Sequence, residues 1–248
     1  MHNTTMMKRL SVIAILLLVL IGANAQKTYV LLAGVSNYGD EQLNLYNTTK
    51  DVKQLKKVFD NQHATTAIVT SQYANHDNIV KKLNAIVKLS KDEDKIVFFF
   101  SGHGTPGGFV TSDRTLFNYQ ELVDILSKAK AHHVVCLIDA CMSGSVKTIS
   151  ANNFGCGSNN PQMTFMASSD GTEVSGESSM VGHGYFTKAL LKGLRGMCDR
   201  DSDKQITLIE LFNYVYSDVT ARTKETEKQQ HPQLIGPASM HGLVMASW

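Results

Sequence analysis

Cysteine is scarce, charge of one sign is not in excess, and no low-complexity tract or internal repeat interrupts the chain. Four cysteines (Cys136, Cys141, Cys156 and Cys198) are too few to staple a domain of this size, so the fold must rest on a buried core. A hydrophobic fraction of 43% is enough to build one. The 24 basic residues barely exceed the 22 acidic ones and form no block, which removes the electrostatic case for nucleic acid. The longest apolar run, Leu10 to Ile21, is too short to favour a membrane span.

That run follows Lys8-Arg9 and precedes Ala23-Asn24-Ala25, the three-part pattern of a secretory signal peptide. Residues 1–25 are therefore expected to be a leader. Residues 26–248 are expected to form one exported domain, periplasmic or secreted, free of the membrane after cleavage and favoured as a monomer. Losing Lys8 and Arg9 levels the basic and acidic counts.

Strand and helix patterns alternate along that domain. Tyr29 to Ala33 reads as a strand, and Thr48 to Asp60 as a helix burying Val52, Leu55, Val58 and Phe59, with Thr48 and Asp51 as a candidate cap. Thr65 to Thr70, Ile96 to Phe100, Val134 to Ile138 and Met163 to Ser168 are further strands. Helices are expected at Asp77 to Leu89, after Asn118, at Tyr185 to Leu194 and at Ile209 to Val219; Leu243 to Met245 is a candidate edge strand. The alternation predicts an α/β fold whose central sheet is mainly parallel, with helices on both faces.

Two of these strands end in chemistry. Val134 to Ile138 is apolar throughout, as in a strand buried on both faces, and leads into Asp139-Ala140-Cys141-Met142-Ser143-Gly144. Ile96 to Phe100 leads into Ser101-Gly102-His103-Gly104. Open α/β sheets place ligands at the carboxyl ends of their strands. If the two strands are neighbours, a cysteine and a histidine emerge roughly 5 Å apart, the nucleophile-and-base pair of covalent catalysis. Cys136 lies within its strand and reads as a core residue. Cys156 and Cys198 are the only pair considered for a bridge.

These elements resemble those of the caspase-like cysteine peptidases, and most closely the metacaspase and bacterial caspase-like branch. The resemblance spans nearly all of residues 26–248. It includes Gly34, Ser36, Asn37 and Tyr38, Gly182-His183-Gly184-Tyr185-Phe186-Thr187, and Gln230-His231-Pro232-Gln233. It implies a three-layer caspase-like fold and a cysteine endopeptidase acting on peptides or proteins. Cys141 is the implied nucleophile and His103 the implied acid and base, with the backbone N–H groups of Cys141 and Gly104 as the oxyanion site. No third triad member is required, and no cofactor is needed for the chemistry.

Where caspases carry Gln two residues before the nucleophile, this chain has Asp139. The resemblance implies a P1 pocket for Arg or Lys lined by Asp51, Ser101 and Asp139, because a carboxylate there repels an acidic P1 and attracts a basic one. Asp51 also reads as an ordinary first-turn acid of its helix. An inactive interaction module and a peptidase with another P1 preference are the competing readings.

Residues 142–161 form a Ser-, Asn- and Gly-rich loop, a length that is functional or disordered in a compact domain. Lys147 is its only basic residue and the candidate self-cleavage point. Asp199, Asp201, Asp203 and Glu210 occupy positions 1, 3, 5 and 12 of an EF-hand-type loop, so Ca2+ is a candidate activator. Lys204 stands where such loops carry Gly, and Thr207 with Glu210 equally forms a capping box. Ser168 and Ser169 resemble positions that border the substrate cleft in the caspase-like family.

Overall fold

A computed structural model describes residues 26–149, 161–173, 177–178, 183–226 and 229–248. Its main sheet has six strands: β1 (Thr28–Gly34), β2 (Thr65–Thr70), β3 (Lys95–Ser101), β7 (His133–Asp139), β8 (Gln162–Ala167) and β12 (Gln233–Ile235). Their order is β12-β8-β7-β3-β1-β2, all parallel except for the antiparallel β12.

The apolar runs of β3 and β7 serve two cores at once, because side chains alternate across a strand. Ile96, Phe98 and Phe100 join Val134, Cys136 and Ile138 in one core, while Val97, Phe99, Val135 and Leu137 enter the other. Helices α2 (His76–Leu89) and α3 (Tyr119–Leu126) cover the first. The second is covered by α1 (Thr48–Asn61), α4 (Tyr185–Lys192) and α5 (Leu208–Thr223). Each helix supplies one apolar stripe, such as Ile79, Leu83 and Ile86 of α2.

Small sheets decorate this frame. Antiparallel β4 (Gly104–Thr105), β5 (Gly108–Val110) and β6 (Leu116–Asn118) follow β3 directly. Phe109 stacks between Phe100 of β3 and Phe117 of β6, with ring centroids 3.9 and 4.9 Å away. Strands β9 (Glu177–Ser178) and β10 (His183–Gly184) pair, as do β11 (Gln205–Thr207) and β13 (Val244–Ser247).

Four local expectations need correction. Thr48 is the first residue of α1 and not its cap; Asn47 precedes it, and no side chain caps that end. The last strand pairs with β11 rather than with the main sheet, whose edge is the three-residue β12. Helix α4 ends at Lys192 and continues as a π-turn at Gly193–Met197. The loop after Cys141 begins as a 3-10 helix, Ser143–Thr148, while residues 150–160 lie outside the described residues. The expected caps do form at Asn118, which accepts from Glu121 N–H at 2.7 Å, and at Thr207.

Candidate active site

In-register parallel pairing sets Gly34, Ser101 and Asp139 level at the carboxyl ends of β1, β3 and β7. The ladder runs on for one more bond, from Gly102 N–H to the Asp139 carbonyl at 3.2 Å. The two departing turns then touch. A Cβ on Gly104 would stand 2.2 Å from the Cys141 carbonyl oxygen and 3.1 Å from its nitrogen. No side chain fits there, so glycine lets the segment bearing His103 lie backbone to backbone against Cys141.

His103 is held from the loop that follows β1. Its Nε2 lies 2.7 Å from the carbonyl oxygen of Leu43. A carbonyl can only accept, so Nε2 carries the hydrogen and Nδ1 keeps the lone pair. The Tyr38 hydroxyl accepts the His103 backbone N–H at 2.7 Å and donates to the Val110 carbonyl at 3.3 Å. The tyrosine ring sits 4.7 Å from the imidazole and is almost wholly buried. Asn44 fixes the loop in turn, its Oδ1 accepting Tyr38 N–H at 2.8 Å. Sequence reasoning noted Tyr38 only within a motif and missed Leu43, whose contribution is a backbone oxygen without a residue signature.

Cys141 is half-buried in a tight turn. Met142 after it is left-handed, with φ 55°, a strained conformation for a residue with a side chain. Its N–H donates to the Glu173 carbonyl at 2.7 Å. Beneath the turn lie three wholly buried serines, Ser143, Ser168 and Ser169. Ser168 Oγ accepts from Ala140 N–H at 3.2 Å, and the Ser168 and Ser169 hydroxyls bond the Ala140 carbonyl at 3.2 and 3.3 Å. These two serines therefore brace the turn from below rather than border the cleft. Cys136 is fully buried, and burial pushes its thiol well above the ordinary range. Cys198 is a buried free thiol, pushed up to about 11 by burial and then by Glu210; Cys156 lies outside the described residues.

Asp51, Ser101 and Asp139 are all buried at this end of the sheet, 1%, 3% and 7% exposed. Thr187 of α4 fixes Asp139, its hydroxyl donating to Oδ2 at 2.6 Å and its N–H at 3.3 Å. Gly184 allows this approach, because a Cβ there would lie 2.7 Å from the same oxygen. Asp51 arrives differently. Gly34 has no side chain, so the first turn of α1 presses on it, the Thr48 carbonyl and Val52 reaching within 2.8 Å of where a Cβ would stand.

The remaining candidates lie elsewhere. Lys147 belongs to the 3-10 helix, and its Nζ meets Asp170 at 3.0 Å. Asp199, Asp201 and Asp203 offer carboxylate oxygens within 4.8 Å of one another. They also accept backbone N–H bonds of their own turn, Lys204 donating to Asp199 at 3.2 Å and Gln205 to Asp203 at 2.7 Å. Glu210 is turned to the capping box instead, accepting from Thr207 N–H at 2.9 Å and from its hydroxyl at 2.7 Å. Three of the four acids thus suit a cation, and the fourth serves the helix.

Comparison with known proteins bears on the whole arrangement. A family model described as the caspase domain matches residues 27–238. Metacaspase III c of Phaeodactylum tricornutum is 31% identical over 146 residues, 47% of this chain and 42% of that protein. The chain thus spans less than half the length of that curated relative. Among solved structures, caspase-1 of Spodoptera frugiperda superposes with a TM-score of 0.68 over 86% of this chain and 89% of its own, at 14% identity. A Geobacter sulfurreducens protein superposes with a TM-score of 0.65 over 87% and 97%, also at 14% identity. At that identity the likeness speaks for the fold.

Proposed function

The chain belongs to the caspase-domain peptidase family, and from that premise we propose a cysteine endopeptidase that cuts proteins after arginine or lysine. Cys141 gives its thiol proton to His103 and attacks the scissile carbonyl as thiolate. The oxyanion of the tetrahedral intermediate is held by the backbone N–H groups of Cys141 and Gly104. His103 then protonates the leaving amine, which departs and leaves a thioester on Cys141. The same imidazole takes a proton from water, whose attack releases the acid and returns the proton to sulfur.

The observation that carries this reading is the contact of Gly104 with the Cys141 backbone, since it brings the histidine turn onto the cysteine turn. The Leu43 carbonyl suits the same cycle: it holds one ring nitrogen while the other handles the proton. Selection falls to Asp139, Ser101 and Asp51. A buried carboxylate with one oxygen fixed by Thr187 favours a cationic P1 side chain and repels an acidic one.

Peptides differing only in P1 test this directly. Hydrolysis should be fastest after Arg or Lys and vanish in Cys141→Ala. Faster cleavage after Asp would overturn the pocket, and undiminished cleavage by Cys141→Ala would overturn the nucleophile. Self-cleavage after Lys147 requires its 3-10 turn to open and its Asp170 ion pair to break. Intact masses of the active enzyme and Cys141→Ala compare that step; export predicts a mature N-terminus at Gln26.

A further inference from the structure

Away from the cleft, α1 turns a cationic stripe outwards. Lys50, Lys53 and Lys57 are exposed at i, i+3 and i+7, the spacing of one helix face. The helix has two acids. Asp51 is buried on the other side, and Asp60 is taken by Lys56 at 2.5 Å. In a chain whose basic and acidic counts nearly match, this stripe is a local excess.

The stripe also forms one wall of a groove. Two cavities of about 660 and 600 Å³ share Lys57 in their lining: the first lies between the second half of α1 and Arg195, Ser247 and Trp248, and the second follows α1 from Tyr46 to Lys57. The opposite wall is tied to the helix at two points: Arg195 Nη2 donates to Gln54 Oε1 at 3.2 Å, and Ser247 N–H donates to Gln62 Oε1 at 2.8 Å. Trp248 packs against Gly196, where a Cβ would stand 3.0 Å from the indole. The groove is therefore pre-formed, cationic along α1 and at Arg195, with an exposed aromatic ring towards each end, Tyr46 being 91% and Trp248 56% exposed.

Its upper end adjoins the site. Thr49 of α1 and Ser36, two residues past β1, share a hydrogen bond at 3.0 Å, and Tyr46 continues the loop that offers the Leu43 carbonyl to His103. We infer that this groove docks an acidic stretch of the substrate polypeptide, remote from the scissile bond; the inference rests on the peptidase reading. The stripe from Lys50 to Asn61 is about 16 Å long at a helical rise of ~1.5 Å per residue, room for roughly five extended residues. A polypeptide is favoured over nucleic acid because a chain held in the cleft delivers its own flanking segment to the groove at high effective concentration.

The binding arm uses the full chain as Cys141→Ala and a fluorescein-labelled hexaglutamate peptide, read by anisotropy at about 50 and about 300 mM salt. Binding should weaken at the higher salt, and Lys53→Glu with Lys57→Glu should weaken it on the order of tenfold or more. Unchanged affinity in that variant overturns the inference, and so does tighter binding of a single-stranded DNA oligomer. The neutral pair Lys53→Gln with Lys57→Gln, with an unshifted melting curve, guards against misfolding and should weaken binding less. The turnover arm compares two P1-Arg substrates, one extended by a glutamate tail. The tail should raise kcat/KM in the wild type and give no gain in the charge-reversed variant, while the untailed substrate is cut equally by both. No cleavage of either substrate by the wild type would defeat the peptidase reading, and the groove would then be decided by the binding arm alone.

Discussion

Tyr38 shows how much a single side chain contributes to the site. It touches His103 twice, through its hydroxyl on the backbone N–H and through its ring beside the imidazole. Tyr38→Phe keeps the ring and removes the acceptor of the partly buried His103 N–H, a loss of about 1 kcal/mol. The expected outcome is a fall in kcat with KM little changed; a fall in the variant's stability with kcat unchanged would assign Tyr38 to folding alone. At this scale the sequence was legible where chemistry needs a particular residue type. Cys141, His103 and Asp139 stood out as candidates by their place after apolar runs. The Leu43 carbonyl could not, because every residue has one. Ser168 and Ser169 were misjudged because their sequence position does not tell which way a hydroxyl faces at a strand end; both are fully buried.

Individual elements were legible in proportion to their length and periodicity. The seven-residue strands β3 and β7 read clearly as doubly buried, whereas the three residues of β12 are too few to carry a period. Helix α5 illustrates a signal with two meanings. Thr207 and Glu210 fit both a cap and the end of a cation loop, and the side chains take the first option. Thr207→Ala should therefore cost about 1 kcal/mol in denaturant unfolding, with or without added calcium or chelator. A cost that changes with calcium would mean that Glu210 turns to a metal. The segment entering β12 is held by His231, whose Nδ1 lies 2.6 Å from Glu173 Oε1 and whose N–H donates to Oε2 at 2.8 Å. Burial raises the Glu173 pKa, but the bonds from His231 and Asp170 outweigh it and the carboxyl titrates below its ordinary range. A depressed carboxyl stabilises the fold above its unfolded pKa, ~4.5, and that contribution is lost as pH falls through the folded value. Melting temperatures of the wild type should thus fall more steeply below about pH 4.5 than those of Glu173→Gln.

Across the whole molecule, the architecture followed from alternating strand and helix patterns, and a parallel sheet gathers its strand ends on one side. That is why the candidate site was legible before any coordinates. The groove along α1 was not, because its walls are more than a hundred residues apart in the chain and meet only through packing. The same packing ranks the thiols. Cys136 and Cys198 are buried and pushed towards the unreactive thiol form, while Cys141 is half-buried at the surface end of its strand. Iodoacetamide applied to the native protein should label Cys141 well ahead of Cys136 and Cys198, as peptide masses would report. Labelling of Cys136 first would require that the main sheet opens before the turn is reached.

Asp139 and Cys141 are separated by one alanine whose carbonyl and N–H are both held by buried serines. The proposed selector and the proposed nucleophile therefore share a single mount, and a designer cannot reshape that mount for one without disturbing the other. On the proposed reading of P1, retuning begins from the far side, at Gly184 and Thr187, where a methyl group added to the glycine would press directly on the Asp139 carboxylate and not on the cysteine turn.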